Sequence, residues 1–362
     1  MNSDFESTLL SDVAWTTKIV GGTESETIYL TLDNGAFAFV QVVYSTMSWS
    51  PSVQMTCRYY SSDGKIQSQM LNSSGANFIV SDDNRTVSCD GVKIQTVEEK
   101  FLDISFTSGA NFIFNFKFVP LGDGKGVKFK NPSSCAAEDG ASNIFSKFFS
   151  NATVEGMAVF NGKATELKGK GVFCYSAQTK PQYVGQWNFV NFQSAKDSII
   201  LYQFNVPTDQ EFKPTVNSLG MVYINEKLIA VTSSKNNKVT HTYLGYDDFS
   251  GYEIPKNLTY TLEGETEEKK KVSISMVCKT TRLLAKIDVL AGKLFFVNTF
   301  NILIELPYLL KKFIQTFVTA PYCYQWFEDS EVKILLGGEE SVYKGKIFCE
   351  TSFLGVVTDN IR

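Results

Sequence analysis

Asn111-Phe112-Ile113-Phe114-Asn115-Phe116-Lys117-Phe118-Val119 places an aromatic residue at every second position. On an extended strand Phe112, Phe114, Phe116 and Phe118 project to one face and Asn115 and Lys117 to the other, and a period of two is incompatible with a helix. Leaving such a ring in water forfeits about 1.5–3 kcal/mol, so the four must pack against another sheet or line an apolar cavity. The stretch predicts a β protein with an aromatic interior, and it makes Phe114 and Phe116 candidate contacts for an apolar ligand.

Outward from this ladder the same pattern recurs. Strand-like runs are read at 27–32 and 36–44, joined by Asp33-Asn34-Gly35, a hairpin signal. Further runs follow at 53–60, 76–80, 85–89, 92–96 and 102–106, enough with the ladder to build a barrel of about eight strands. A Gly-, Lys- and Ser-rich stretch over 121–142 is read as a linker, and a short amphipathic piece over 144–149 follows it. The expected division is a domain over 1–150 and a second over 151–362. The second half repeats the rhythm at 153–160, 165–176, 186–193, 199–206, 221–224, 228–232, 258–263, 271–278, 322–327, 332–336 and 341–354. One amphipathic helix is predicted near the C-terminus, over 307–318, where Leu309, Leu310, Phe313, Ile314 and Phe317 form a helical stripe behind Pro307.

Composition narrows the function. With 29 Phe, 16 Tyr and only 9 Pro among 362 residues, the chain reads as ordered and rich in strand formers. A net charge of −4 gives no pull on a polyanion, so nucleic acid is not expected as a partner. Acidic residues stand where a secretory leader would be basic, which predicts an intracellular, cytoplasmic protein. Seven dispersed cysteines without a Cys-x-x-Cys pair are expected as free thiols. The sole histidine, His241, cannot build a multi-histidine metal site, and no motif supplies it with a catalytic partner. Asp82-Asp83 and Asp247-Asp248 are read as turn residues, Gly122-Asp123-Gly124-Lys125-Gly126 as linker, and Glu267-Glu268-Lys269-Lys270-Lys271 as a solvated hairpin tip. No catalytic residue, metal or cofactor is expected, and binding is favoured over catalysis.

Two apolar stretches complete the reading. In Gln186-Trp187-Asn188-Phe189-Val190-Asn191-Phe192 both faces are mixed and largely apolar, as in a core strand or a cavity wall. Tyr202 and Phe204 in the following run join it as candidate ligand contacts. The segment 294–310 holds one charge, Glu305, and is too interrupted to span a bilayer. It is read as buried strand and helix, or as a lip that touches a membrane through Phe295, Phe296 and Phe300.

Asn34-Gly35-Ala36-Phe37-Ala38-Phe39-Val40-Gln41-Val42-Val43, Lys180-Pro181 before Trp187-Asn188-Phe189, and Ala320-Pro321-Tyr322-Cys323-Tyr324-Gln325 resemble the fungal survival factor 1 family in order and spacing. The resemblance covers most of the chain from about Asp12. It implies an all-β fold of two tandem lipocalin-like (calycin) antiparallel β-barrels, lipid binding with a long-chain, ceramide-like ligand, transport between endoplasmic reticulum and Golgi with peripheral membrane contact, and a part in survival under oxidative stress. It places Trp187, Asn188 and Phe189, with Phe37, Phe39 and Gln41, in the best-matched strands, as residues of an apolar lumen or of the interface between barrels. The family's N-terminal membrane-meeting stretch is expected to be replaced here only by Phe5, Leu9, Leu10 and Val13. Similar tandem-calycin proteins include hydratases and pericyclases, which makes an enzyme with a shaped apolar pocket the alternative.

Overall fold

The computed structural model describes residues 5–47, 49–130, 144–179, 184–206, 215–248, 250–288, 293–295 and 322–353. Its regular elements are almost entirely strands, in two compact units, Met1–Pro181 and Gln182–Arg362.

The first unit holds β1 (Phe5–Thr8), β2 (Gly22–Leu32), β3 (Phe37–Ser45), β4 (Ser52–Tyr60), β5 (Ile66–Ser74), β6 (Ile79–Val80), β7 (Thr86–Cys89), β8 (Val92–Val97), β9 (Phe101–Thr107), β10 (Phe112–Pro120), β11 (Gly126–Lys130), β12 (Ile144–Phe160) and β13 (Lys163–Thr179). They form one antiparallel sheet in the order β5-β4-β3-β2-β13-β12-β10-β9-β8-β7-β6, with β11 on β12 and β1 on β11. The ladder behaves as its alternation requires: all four β10 phenylalanines are buried in the core, while Asn115 and Lys117 are exposed. Phe116 lies opposite Gly156 of β12, where a Cβ would collide with the Asn115 carbonyl and the Phe116 Cα, so glycine lets the two strands approach. Phe114 and Phe116 meet edge to face at 5.6 Å, Phe112 contacts Phe160 at 5.2 Å and Phe118 contacts Phe173 at 6.1 Å. The rings pack on one another in the core of the unit.

Three expectations are corrected. The division at 150/151 would cut β12, whose pairing with β10 and β13 holds it in the first sheet; the units part between Pro181 and Gln182. The piece at 144–149 is the start of β12, and the linker contains β11, which pairs with that start. The run at 76–80 is a turn of 3₁₀ helix, Gly75–Asn77, leading into the two-residue β6. The expected hairpin forms at Asp33-Asn34-Gly35, where Gly35 takes φ 79°, and Asn161-Gly162 turns β12 into β13 with φ 51° and 78°. Near the N-terminus, Leu10 and Val13 are buried with Trp15 in the core, and Leu9 is exposed.

The second unit holds β14 (Gln186–Gln193), β15 (Ser198–Val206), β16 (Thr215–Ile224), β17 (Lys227–Ser233), β18 (Asn237–Tyr246), β19 (Glu253–Glu265), β20 (Lys271–Cys278), β21 (Leu283–Asp288), β22 (Lys293–Phe295), β23 (Tyr322–Leu336) and β24 (Glu339–Phe353). The sheet order is β17-β16-β15-β14-β24-β23-β20-β19-β18, with β21 on β23 and β22 on β21. Its core includes Val190, Phe192, Ile199, Leu201, Leu258, Tyr260 and Trp326. The predicted helix at 307–318 lies outside the described residues, as does Cys135; the other six cysteines are free.

Candidate functional site

The wall of the second sheet divides at one point. β19 pairs with β20 only from Leu258↔Cys278 onward, and β23 pairs with β20 over Val332–Leu336 but with β21 over Tyr322–Trp326. Among the described residues, the first residues of β19 therefore have no ladder partner on the side away from β18. Pro255, with no N–H to satisfy, stands at this free edge, and its carbonyl accepts from the Thr280 hydroxyl at 3.1 Å. A cavity of about 510 Å³ occupies the gap. Ile254, Pro255, Leu283 and Trp326 give it an apolar lining, Tyr324 stacks on Trp326 at 6.0 Å, and Tyr246 forms an exposed rim.

One side of the cavity is charged. Lys286 donates to both Asp247 oxygens at 2.6 and 2.5 Å, the Tyr324 hydroxyl donates to Asp247 at 2.6 Å, and Ser250 adds its hydroxyl at 2.7 Å and its backbone N–H at 3.1 Å. Partial burial pushes the Asp247 carboxyl up, but the hydrogen bonds from Lys286, Tyr324 and Ser250 outweigh it and hold the group at about 2. Burial, reinforced by the bond to Asp247, pushes the Tyr324 phenol well above its ordinary value. The cluster is thus a carboxylate, an ammonium and a neutral phenol. Lys286 also lies opposite Phe295 of β22 in the ladder.

Behind Tyr324 a row crosses the sheet: Tyr324 faces Thr351, Thr351 faces Asn188, and Asn188 faces Gln203. Directly opposed residues share a face, and this face also carries the core residues Val190 and Leu201. Asn188 accepts from Thr351 at 3.0 Å, donates to Gln203 at 3.3 Å and meets the His241 ring at 2.9 Å. Burial of the imidazole lowers His241 to about 4, so it is neutral at pH 7. These bonds tie β14 to β15, β24 and β18, and among the described residues the hydrogen bond of the ring is to the Asn188 amide.

The sequence-predicted residues fall on different faces. Asn188 is interior, whereas Trp187, Phe189, Tyr202 and Phe204 occupy the opposite face of β14 and β15, where Trp187 lies 5.1 Å from both Tyr202 and Phe204. In the first unit Phe114 and Phe116 belong to the hydrophobic core, while Phe37, Phe39 and Gln41 sit on the face of β3 away from Ala38, Val40 and Val42. There Phe39 underlies the Arg58 guanidinium at 5.3 Å and Gln41 donates to Thr27 at 3.0 Å. Phe296 and Phe300 lie outside the described residues.

A model of the Svf1 family matches residues 1–355. The chain belongs to the Svf1 family. Among Svf1 relatives, the ceramide-binding protein SVF1 of Debaryomyces hansenii is 26% identical over 375 residues, covering 97% of this chain and 89% of that protein. The ceramide-binding protein svf1 of Schizosaccharomyces pombe is 23% identical over 357 residues, covering 95% and 88%. Two solved structures share the fold: CghA with Sch210972, at TM-score 0.59 and 12% identity over 97% of this chain and 99% of that one, and kievitone hydratase from Nectria haematococca, at TM-score 0.54 and 11% identity over 96% and 92%. This all-β arrangement of two tandem, curled antiparallel sheets is the lipocalin-like, calycin-type architecture expected for an Svf1 protein. Asp247 does sit in the turn expected from the sequence, since the Gly251 N–H donates to the Asp247 carbonyl at 2.8 Å. Its carboxylate, however, meets Lys286 and Tyr324 across 39 and 77 residues of sequence, a separation that no local motif encodes.

Proposed function

We propose that this chain binds and carries a ceramide-like, long-chain lipid, without covalent catalysis. The observation that carries the reading is the match along nearly the whole chain to relatives named as ceramide-binding proteins. A cavity with an apolar lining and a few convergent polar groups, of a size usual for small-molecule sites (about 300–1,000 Å³), supports it. Native mass spectrometry of protein purified from its own host tests it: a co-purifying long-chain lipid of unaltered mass is expected, and an empty protein that also ignores added lipid overturns it. Transport between endoplasmic reticulum and Golgi and survival under oxidative stress are proposed on the family resemblance.

Membrane contact is proposed through the segment that begins at Phe295, because β22 pairs with β21 directly opposite Lys286 of the cavity. Among the described residues no helix is long and apolar enough to cross a membrane. Co-sedimentation with liposomes is expected to fall when Phe295→Asp and Phe296→Asp are combined, and unchanged binding removes the segment from the contact. The second reading is an enzyme of the same architecture, supported by the likeness to a hydratase and by the carboxylate, ammonium and phenol around one cavity. A bound molecule recovered as a converted product would favour it.

A further inference from the structure

Arg58 stands on β4, on the face of the first sheet that points away from its core, and is only 3% exposed. Its Nε and Nη1 are buried without a hydrogen-bond partner, and no ion pair among the described residues includes it. The strand register shows why. Arg58 lies between Phe39 of β3 and Ser68 of β5, and the residues that share its face on β2, β3, β4 and β5 include no acid. Glu26 of β2 is out of phase with it, standing opposite the core residue Val42 on the other face. The guanidinium lies over the Phe39 ring at 5.3 Å, which occupies one flat side of the group and leaves the in-plane N–H donors unanswered. A guanidinium does not shed its proton in proteins, so burial without a counter-ion is a cost that no change of protonation relieves.

An oxyanion relieves it. Carboxylate and phosphate oxygens match the planar donors of a guanidinium in pairs, and the Ser68 hydroxyl is directly across the ladder for a further bond. Tyr29, Phe37 and Tyr60 continue the surface beside Phe39, with ring centres 6.2 to 6.4 Å apart, and give the position an apolar flank. β4 is one strand in from the end of the sheet, and Ile66, Ser68 and Met70 of the terminal strand β5 are partly exposed, so Arg58 is approached from that edge.

We propose that Arg58 anchors an anion site on this face, taking a carboxylate or phosphate carried on an apolar body. Arg58 and Ser68 hold the oxyanion, and the rings around Phe39 flank the apolar part. The site does not rest on the lipid-binding reading, since a neutral N-acyl sphingosine has no charge to offer Arg58.

The test titrates the full chain in low-salt buffer with decanoate, decyl phosphate, inorganic phosphate and, as uncharged control, decanol, each below its micelle concentration. Decanoate and decyl phosphate are expected to bind wild type at least tenfold more tightly than decanol. Inorganic phosphate that binds as tightly as decyl phosphate would identify the ligand as the free ion and overturn the apolar body. Arg58→Met, which removes the charge, and Arg58→Lys, which removes the planar fork, are each expected to lose tenfold or more for both acids. Urea midpoints separate an anion site from an arginine that serves the fold alone. Without acid, Arg58→Met is expected to unfold at the same or a higher urea concentration than wild type, because it deletes an uncompensated charge. The acids are expected to raise the wild-type midpoint and leave that of Arg58→Met in place. Equal wild-type affinity for the acids and decanol, acid binding unchanged in both variants, or an Arg58→Met that unfolds at lower urea without acid overturns the proposal. The comparison of acids with decanol uses the native sequence, so a variant that fails to fold does not shield it.

Discussion

Glu26 is buried in the first unit, inward of the β2–β13 ladder opposite Tyr175, and one of its oxygens has no hydrogen-bond partner among the described residues. Burial pushes its carboxyl up to about 8; the Trp15 indole beside it offsets part of this and neighbouring Glu24 adds to it. Unfolded, the group titrates near its ordinary 4.5. Between these values the folded state carries the extra proton, so stability is full below about 4.5 and is lost as pH rises toward 8. Glu26→Gln, which mimics the protonated acid, is expected to leave the unfolding free energy from urea titration at pH 5 nearly unchanged and to raise it at pH 8, by an amount on the order of a few kcal/mol. Equal wild-type and variant midpoints at pH 8 would refute a buried, protonated Glu26. Nearby Glu24 is instead satisfied, accepting from Thr16 N–H at 2.6 Å, Thr17 N–H at 2.8 Å and the Tyr175 hydroxyl. No sequence pattern separates these two acids, which sit two residues apart on the same strand face; the difference arises from residues 16, 17 and 175 arriving in three dimensions.

Strands with one apolar face were legible, and strands without one were not. The ladder of β10 and the whole of β14 were read to within a residue because burial on a sheet imposes a period of two. β5, Ile66-Gln67-Ser68-Gln69-Met70-Leu71-Asn72-Ser73-Ser74, ends the sheet with no residue fully buried, and β18 ends the other sheet; neither alternates apolar and polar residues. The cavity was hidden for a related reason, since it exists where a ladder stops, and pairing is a property of two strands together. Interior and exterior also differ in energetic weight along one strand. Phe114→Ala is expected to cost about 3–5 kcal/mol, because the ring is fully buried between Phe116 and Phe160, whereas Asn115→Ala, one position along and exposed, should stay within about 0.5 kcal/mol. Urea denaturation measures both, and similar costs at the two positions would mean that the rings line open space.

At the scale of the molecule the two units carry opposite pH responses. The first loses stability as pH rises through the Glu26 window. The second contains His241, half-buried and lowered to about 4 from an unfolded value of 6.5. There the unfolded state binds the extra proton between about 4 and 6.5, so stability is full above 6.5 and drains as pH falls toward 4. Each unit has its own hydrophobic core, which allows each its own cooperative transition. Calorimetric scans from pH 4.5 to 8 should therefore show two transitions that move in opposite directions: the one lowered at pH 8 is restored by Glu26→Gln, and the one lowered at pH 4.5 is restored by His241→Gln. A neutral N-acyl sphingosine should raise only the transition that responds to His241→Gln, because the cavity, Asp247 and Lys286 all belong to that unit, and ligand bound to one folded unit stabilises that unit. A lipid-induced shift of the Glu26-responsive transition alone would place the ligand in the first sheet, where Phe114 and Phe116 would have to move apart to receive it.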